Sequence, residues 1–134
     1  MRRSQIESHA KEVIAATGPC LVAAYLFGSV AREAMSEKSD VDIGILLQTK
    51  PEGELQQLRF TLEGRLERIL GRRVQVVVLN QAPVDLVHRV LRDGRLLVDR
   101  DRAARIHFEV RSRNEYFDLL PILNRYRRWD AEML

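Results

Sequence analysis

The sequence lacks the means to tie a small chain together covalently or through a structural metal. Its 134 residues hold one cysteine, Cys20, and three scattered histidines, His9, His88 and His107. That leaves no disulfide framework and no Cys-x-x-Cys pair for zinc, the usage of a reducing compartment. Cys20 adjoins an apolar run and is expected to be a small core residue rather than a nucleophile. Long hydrophobic runs are also missing: apolar stretches reach only strand length, and no apolar segment follows Arg2-Arg3. Neither a membrane span nor a signal peptide is expected, and the cytoplasm is the expected location.

Charge of one sign is scarce too. Twenty-two basic and nineteen acidic residues are interleaved to a net +3, with no long basic run and no aromatic RNA-binding motif, so direct nucleic-acid binding is not expected. There is no internal repeat or low-complexity segment. With 46% apolar residues, the chain has room for one compact domain and no obvious second core.

What is present is concentrated between Leu26 and Leu47. The apolar run Ala23 to Phe27 meets Gly28-Ser29, a polar connector follows, and Ser39-Asp40-Val41-Asp42 leads into a second apolar run, Ile43 to Leu47. Residues two apart on a strand share a face, so Asp40 and Asp42 on the second run would be near neighbours. Two unit charges about 4 Å apart repel by about 4 kcal/mol at an effective dielectric of about 20. Either one carboxyl takes up a proton or a divalent cation neutralises both. Oxygen ligands favour a hard ion such as Mg2+, which leaves coordination positions for substrate phosphates. Gly28-Ser29 supplies the other half: glycine permits close backbone approach, N–H groups at a strand-to-helix turn attract anions, and Ser29 adds a hydroxyl. A solvated loop with incidental acids would explain the composition, but not paired acids between two apolar runs.

Gly28-Ser29, ten intervening residues and then Asp40-x-Asp42 resemble the signature of the polymerase-beta-type nucleotidyltransferase superfamily. The short chain and the string GSVAREAMSEKSDVDIGILL are similar, more narrowly, to the minimal nucleotidyltransferases (MNT) of bacteria and archaea, whose genes commonly sit beside one encoding a HEPN-domain protein. The likeness runs from about Ile6 to Leu97. It implies an antitoxin of a type VII-like HEPN/MNT pair that transfers AMP from ATP to a tyrosine of the HEPN ribonuclease toxin. It also implies Gly28, Ser29 and Ser39 as nucleotide-binding residues, Asp40 and Asp42 as catalytic metal ligands, Mg2+ as cofactor and ATP as substrate.

Two departures matter. Where the family usually has a second glycine, this chain has Glu33, which suggests a helix rather than a second tight turn and a side chain that crowds the phosphate site. The third carboxylate of the superfamily falls in a context matched by Val74-Gln75-Val76-Val77, so Gln75 stands where that acid would be. Its neutral carbonyl can coordinate weakly but cannot act as a base, a role worth about 10²- to 10⁴-fold. The chain is therefore expected to be a slow enzyme or a degenerate one. Glu33, Glu37 and Asp85 are candidates to replace the missing acid.

Periodicity supplies the remaining elements. Ile6, Ala10, Val13 and Ile14 mark a helix over 5–16 with Ser4 as its cap, stopped by Thr17-Gly18-Pro19. A strand over 21–27, a short helix over 30–35 and a connector over 36–38 lead to the acidic strand. Lys50-Pro51-Glu52-Gly53 reads as a loop. Leu55, Leu58, Leu62, Leu66, Ile69 and Leu70 then mark an amphipathic helix ended by Gly71, whose arginines, Arg59, Arg65 and Arg68, fall mainly on its solvated face. Arg72-Arg73, expected near the site's edge, open a strand over 74–79. Pro83 starts a helix with Leu86, Val87, Val90 and Leu91 as apolar positions, and Asp93-Gly94 turns into a strand over 95–98. The succession indicates an α/β fold, a small mixed β-sheet with helices packed on it.

By the resemblance, residues 1–100 are expected to form a minimal nucleotidyltransferase domain and 101–134 a C-terminal helical extension of it. In the tail, Pro121 should kink or divide the helix. Phe108, Tyr116, Phe117, Tyr126 and Trp129, with seven arginines, fit either a helix closing over the sheet or a docking surface for a partner. Three functions stay open: an AMP-transferring antitoxin, an antitoxin that acts by binding the HEPN toxin alone, and a small-molecule nucleotidyltransferase. The third usually needs a substrate domain that this length does not supply.

Overall fold

A computed structural model describes residues 1–18, 20–34, 39–48 and 52–133. The expected connector over 36–38, and Pro19, Met35, Glu37, Lys50 and Pro51, lie outside them.

Four strands, β1 (Leu21–Phe27), β2 (Val41–Leu47), β3 (Val74–Val78) and β4 (Arg95–Asp99), form one sheet in the order β3-β2-β1-β4. β1 runs antiparallel to β2 and β4, while β2 and β3 are parallel, so the sheet is mixed as the sequence indicates. On one face α1 (Arg3–Ala15) and α3 (Glu52–Leu70) cover Leu26, Ile43, Ile45 and Val76 with Ile6, Ile14, Leu62 and Leu66. On the other, α4 (Val84–Asp93) and the start of α5 (Arg102–Met133) pack Val87, Val90 and Phe108 on Tyr25 and Leu46. A short α2 (Gly28–Ala31) follows β1, and a 3-10 turn, Leu79–Gln81, follows β3.

Several boundaries differ from those the sequence suggests. α1 begins at Arg3, because the Gln5 side-chain oxygen accepts the Arg2 N–H at 2.8 Å and does the capping expected of Ser4, which lies inside the helix. α3 already includes Glu52 and Gly53. Leu79 turns away from β3 into the 3-10 turn, where its side chain is buried.

The first half of α5 closes over the sheet. Tyr25 donates to Glu109 Oε1 at 2.9 Å, and Arg105 bridges Glu109 (3.0 Å) and Asp99 (3.1 Å), linking α5 to β1 and β4. Burial first, and the Glu109 carboxylate second, hold the Tyr25 phenol protonated, well above its usual range. His88 of α4 stacks on Tyr116 with ring centroids 3.6 Å apart. A hydrogen bond to a carboxylate contributes about 1.5–3 kcal/mol. Since Arg105 still pairs with Glu109 when the phenol is removed, Tyr25→Phe is expected to cost about 1–2 kcal/mol, measured by urea unfolding.

The second half of α5 corrects another expectation. Pro121 does not divide the helix, which is a single 32-residue element. Proline removes the bond to the carbonyl four residues back. That residue, Phe117, is 59% exposed, so water can take the freed carbonyl. Beyond this point α5 stands clear of the sheet and shows Ile122, Tyr126 and Trp129 to solvent.

Candidate active site

The elements bring Gly28 and Asp42 into contact. β1 ends at Phe27, whose antiparallel partner is Asp42, and on the other side of Asp42 the parallel register places Gln75. Three strands therefore deliver the Gly-Ser turn, the acid and the glutamine in one row. Val41, Ile43 and Ile45 point into the core beneath α1 and α3. Alternation then sends Asp42 to the opposite face, where it is partly buried. Asp40 lies just before β2 and is exposed. The Val41 N–H donates to the Arg73 carbonyl at 2.9 Å, which puts Arg73 at the site's edge as expected.

Gly28 has φ 74°, in the left-handed region, and a Cβ there would overlap Asp42 Oδ2. Glycine is needed twice over, for the turn and for the carboxylate packed on it. Ser29 follows in α2, partly buried and outside the cleft lining, and its carbonyl accepts the Ala34 N–H at 2.9 Å. Ser39 is partly buried, next to Asp40.

Glu33 departs from expectation. It does not continue a helix: its φ of 57° is the left-handed turn conformation that a glycine would adopt without strain. The tight turn is kept even though the glycine is not. Nor does Glu33 crowd Asp42, because its carboxylate pairs with Arg3 at 3.2 Å, towards α1. That direction also removes Glu33 as a substitute for the missing acid. Asp85 is exposed in the first turn of α4 and is not among the residues that line the cleft over Asp42.

The cleft over Asp42 has a volume of about 190 Å³ and is lined by Phe27, Gly28, Arg32, Asp42, Leu86, Arg89 and Asp93. Sequence reasoning did not single out Arg32, Arg89 or Asp93. The signal was the spacing of Leu86, Arg89 and Asp93, three and four apart on one face of α4. Asp93 is held below its usual range, chiefly by the paired Arg92 guanidinium and further by Arg32. Arg32 and Arg89 give the cleft the cations that a phosphate chain needs.

Burial first, and the neighbouring Asp40 charge second, raise the Asp42 carboxyl above the ordinary 3.8. Two mutually repelling acids, one against a glycine turn, fit one hard divalent cation that completes its shell with phosphate oxygens. Among the described residues no group of three or more ligating side chains forms, so they offer a second cation no third acid. The raised value has a stability consequence. An acid that ionises less readily folded than unfolded destabilises the fold above its folded pKa, and this penalty vanishes below the unfolded value. Asp42→Asn is therefore expected to raise the melting temperature of the metal-free protein by a few degrees at pH 7–8. The gain should fade towards pH 4, and thermal melts across that range check it.

The family model for Polymerase beta, Nucleotidyltransferase matches residues 10–103, and the chain belongs to that family. A solved minimal nucleotidyltransferase is 30% identical with a TM-score of 0.59, the match covering 71% of this chain and 95% of that one. A crystal structure of a toxin-antitoxin with AMP-PNP is 25% identical with a TM-score of 0.77 over 96% of this chain and 98% of that one. The complex of tri-AMPylated Shewanella oneidensis HEPN toxin with MNT antitoxin shares the fold at 23% identity and a TM-score of 0.74, covering 98% and 99%. No curated protein sequence matches the chain. Among the described residues no helix is long and apolar enough to cross a membrane.

Proposed function

We propose that this chain is the antitoxin of a HEPN/MNT pair and silences a HEPN toxin by transferring AMP from ATP to a toxin tyrosine. The observation that carries the reading is the Asp42 carboxylate packed on Gly28 and repelled by Asp40, with Arg32 and Arg89 across the cleft. It is supported by likeness, over nearly the whole chain, to a toxin-antitoxin structure with AMP-PNP. In this reading residues 1–100 do the chemistry, 101–134 extend the same domain, and the pair works in the cytoplasm.

Gly28 and Ser29 hold the triphosphate from the turn, Arg32 at the end of α2 and Arg89 on α4 neutralise it, and Ser39 borders the nucleotide. Asp40 and Asp42 would hold Mg2+, whose charge would draw electron density from the α-phosphate. The acceptor hydroxyl attacks the α-phosphorus beside Gln75, the bond to the β-phosphate oxygen breaks, and pyrophosphate leaves. The proton goes to solvent, because Gln75 cannot take it.

The test supplies α-labelled ATP, Mg2+ and the HEPN protein encoded beside this chain, in parallel with an Asp40→Asn, Asp42→Asn control. Label is expected on the HEPN protein and should disappear in the control. Gln75 favours one other reading, a degenerate nucleotidyltransferase that suppresses the toxin by binding alone. An Asp42→Asn variant that still neutralised the toxin would establish this second reading and end the first.

A further inference from the structure

β3 is one of the sheet's two edge strands, and alternate backbone N–H groups on it face away from β2. Two of these are satisfied from α3: Val74 N–H donates to Glu67 Oε1 at 3.1 Å and Val76 N–H to Glu63 Oε1 at 3.0 Å. The two glutamates are one helical turn apart, in step with the strand. The next outward N–H belongs to Val78. One turn further back α3 presents Arg59, which has only donors. Arg59 Nε is itself buried without an acceptor, its guanidinium lying 5.4 Å from the Phe60 ring centroid. A cleft of about 200 Å³ opens at this point, wrapping the strand edge from Arg59 and Gln56 to Gln75, Val78 and Gln81.

Both donors thus border one cleft in which Arg59 meets no charged acceptor, the other described polar side chains there being the neutral amides of Gln56, Gln75 and Gln81. A buried donor left without an acceptor is unfavourable, more so when it is charged, and a carboxylate can accept from two donors at once. We infer that this cleft is the subsite for the acceptor polypeptide and seats one of its carboxylates between Arg59 Nε–H and Val78 N–H. The identity of the occupant rests on the AMP-transfer reading; the donor pair does not. A nucleotide phosphate suits the site less well, because Arg32 and Arg89 gather on the other side of Asp42, whereas here one cation stands among three glutamines.

The geometry also sets the spacing of the occupant. Glu63 and Glu67 fill the neighbouring rungs, so an added strand cannot continue along the edge and the segment must cross β3 towards Gln75. Val78 is three strand residues from Gln75, about 10 Å, and Gln75 is the register neighbour of Asp42. A hydroxyl about three residues from the seated carboxylate arrives beside the acid.

The experiment titrates the isotope-labelled full chain with the peptides Asp-Gly-Ser-Tyr and Tyr-Ser-Gly-Asp, and with their Asn counterparts, following the Val78 amide and Arg59 Nε–H by NMR. One acidic peptide is expected to shift both signals and to bind about tenfold more tightly than its Asn version. That preference should vanish in Arg59→Gln, a variant whose dispersed spectrum confirms its fold. Equal binding of Asp and Asn peptides overturns the proposal. So do shifts of the same two signals by inorganic phosphate or ATP matching those of the acidic peptide. Mg·ATP is titrated separately. If it leaves the Gly28 and Asp42 signals unmoved while the acidic peptide engages Arg59, the transfer reading fails and the polypeptide site stands. If it moves them and neither acidic peptide engages Arg59, the subsite fails alone.

Discussion

Gly28→Ala is expected to destabilise the protein by about 2–5 kcal/mol and to displace the Asp42 carboxylate. Two independent causes add. At φ 74° an alanine is held in the left-handed region, which costs about 1–2 kcal/mol. Its methyl group also overlaps Asp42 Oδ2, and overpacking of that kind costs about 1–3 kcal/mol. The causes can be separated with a double-mutant cycle. Asp42→Ala removes the overlap and leaves the backbone strain, so the pair should recover about 1–3 kcal/mol relative to the sum of the single changes. Urea unfolding of the four proteins measures this. A Gly28→Ala protein as stable as the parent would show that Asp42 does not rest on the turn.

The second large effect concerns the residue that makes the site incomplete. Gln75 is exposed and stands beside Asp42 in the parallel β2–β3 register, so Gln75→Asp sets a third carboxylate next to the first two without disturbing the core. A carboxylate there can accept the proton of the attacking hydroxyl, and general-base assistance contributes about 10²- to 10⁴-fold. The labelled-ATP transfer rate is expected to rise by about that range, with saturation at lower Mg2+. The metal-free protein should melt at a lower temperature, because the added charge pushes the Asp42 carboxyl still higher. Loss of melting temperature without any gain in transfer would mean that the acceptor is not held near Gln75.

The sequence was most legible where apolar spacing alone decides. Leu55, Leu62, Leu66 and Leu70 lie buried on α3 as their period implies, although Ile69, counted with them, is 47% exposed on the far side. The paired acids and Gly-Ser were legible because strand parity and a turn residue are local properties. What escaped was nonlocal or confined to single residues. Glu33 reads as helical by composition, yet its left-handed φ comes from the turn that α2 must make. Arg32, Arg89 and Asp93 meet only after α4 folds back over the end of β1. Arg59 looked like a solvated helix charge because nothing in its own segment shows that the edge of β3 runs beneath it. Pro121 marked a break, but a helix half surrounded by water tolerates the missing donor.

Glu63 and Glu67 also decide how this sheet behaves among copies of itself. An edge strand rich in valine offers unpaired N–H groups, each of which can invite a strand from another molecule. Here two of those groups are already engaged by carboxylates of the same chain, and any approaching strand meets negative charge first. Two rungs of this edge are thus closed to strand addition by side chains that lie outside the cleft over Asp42.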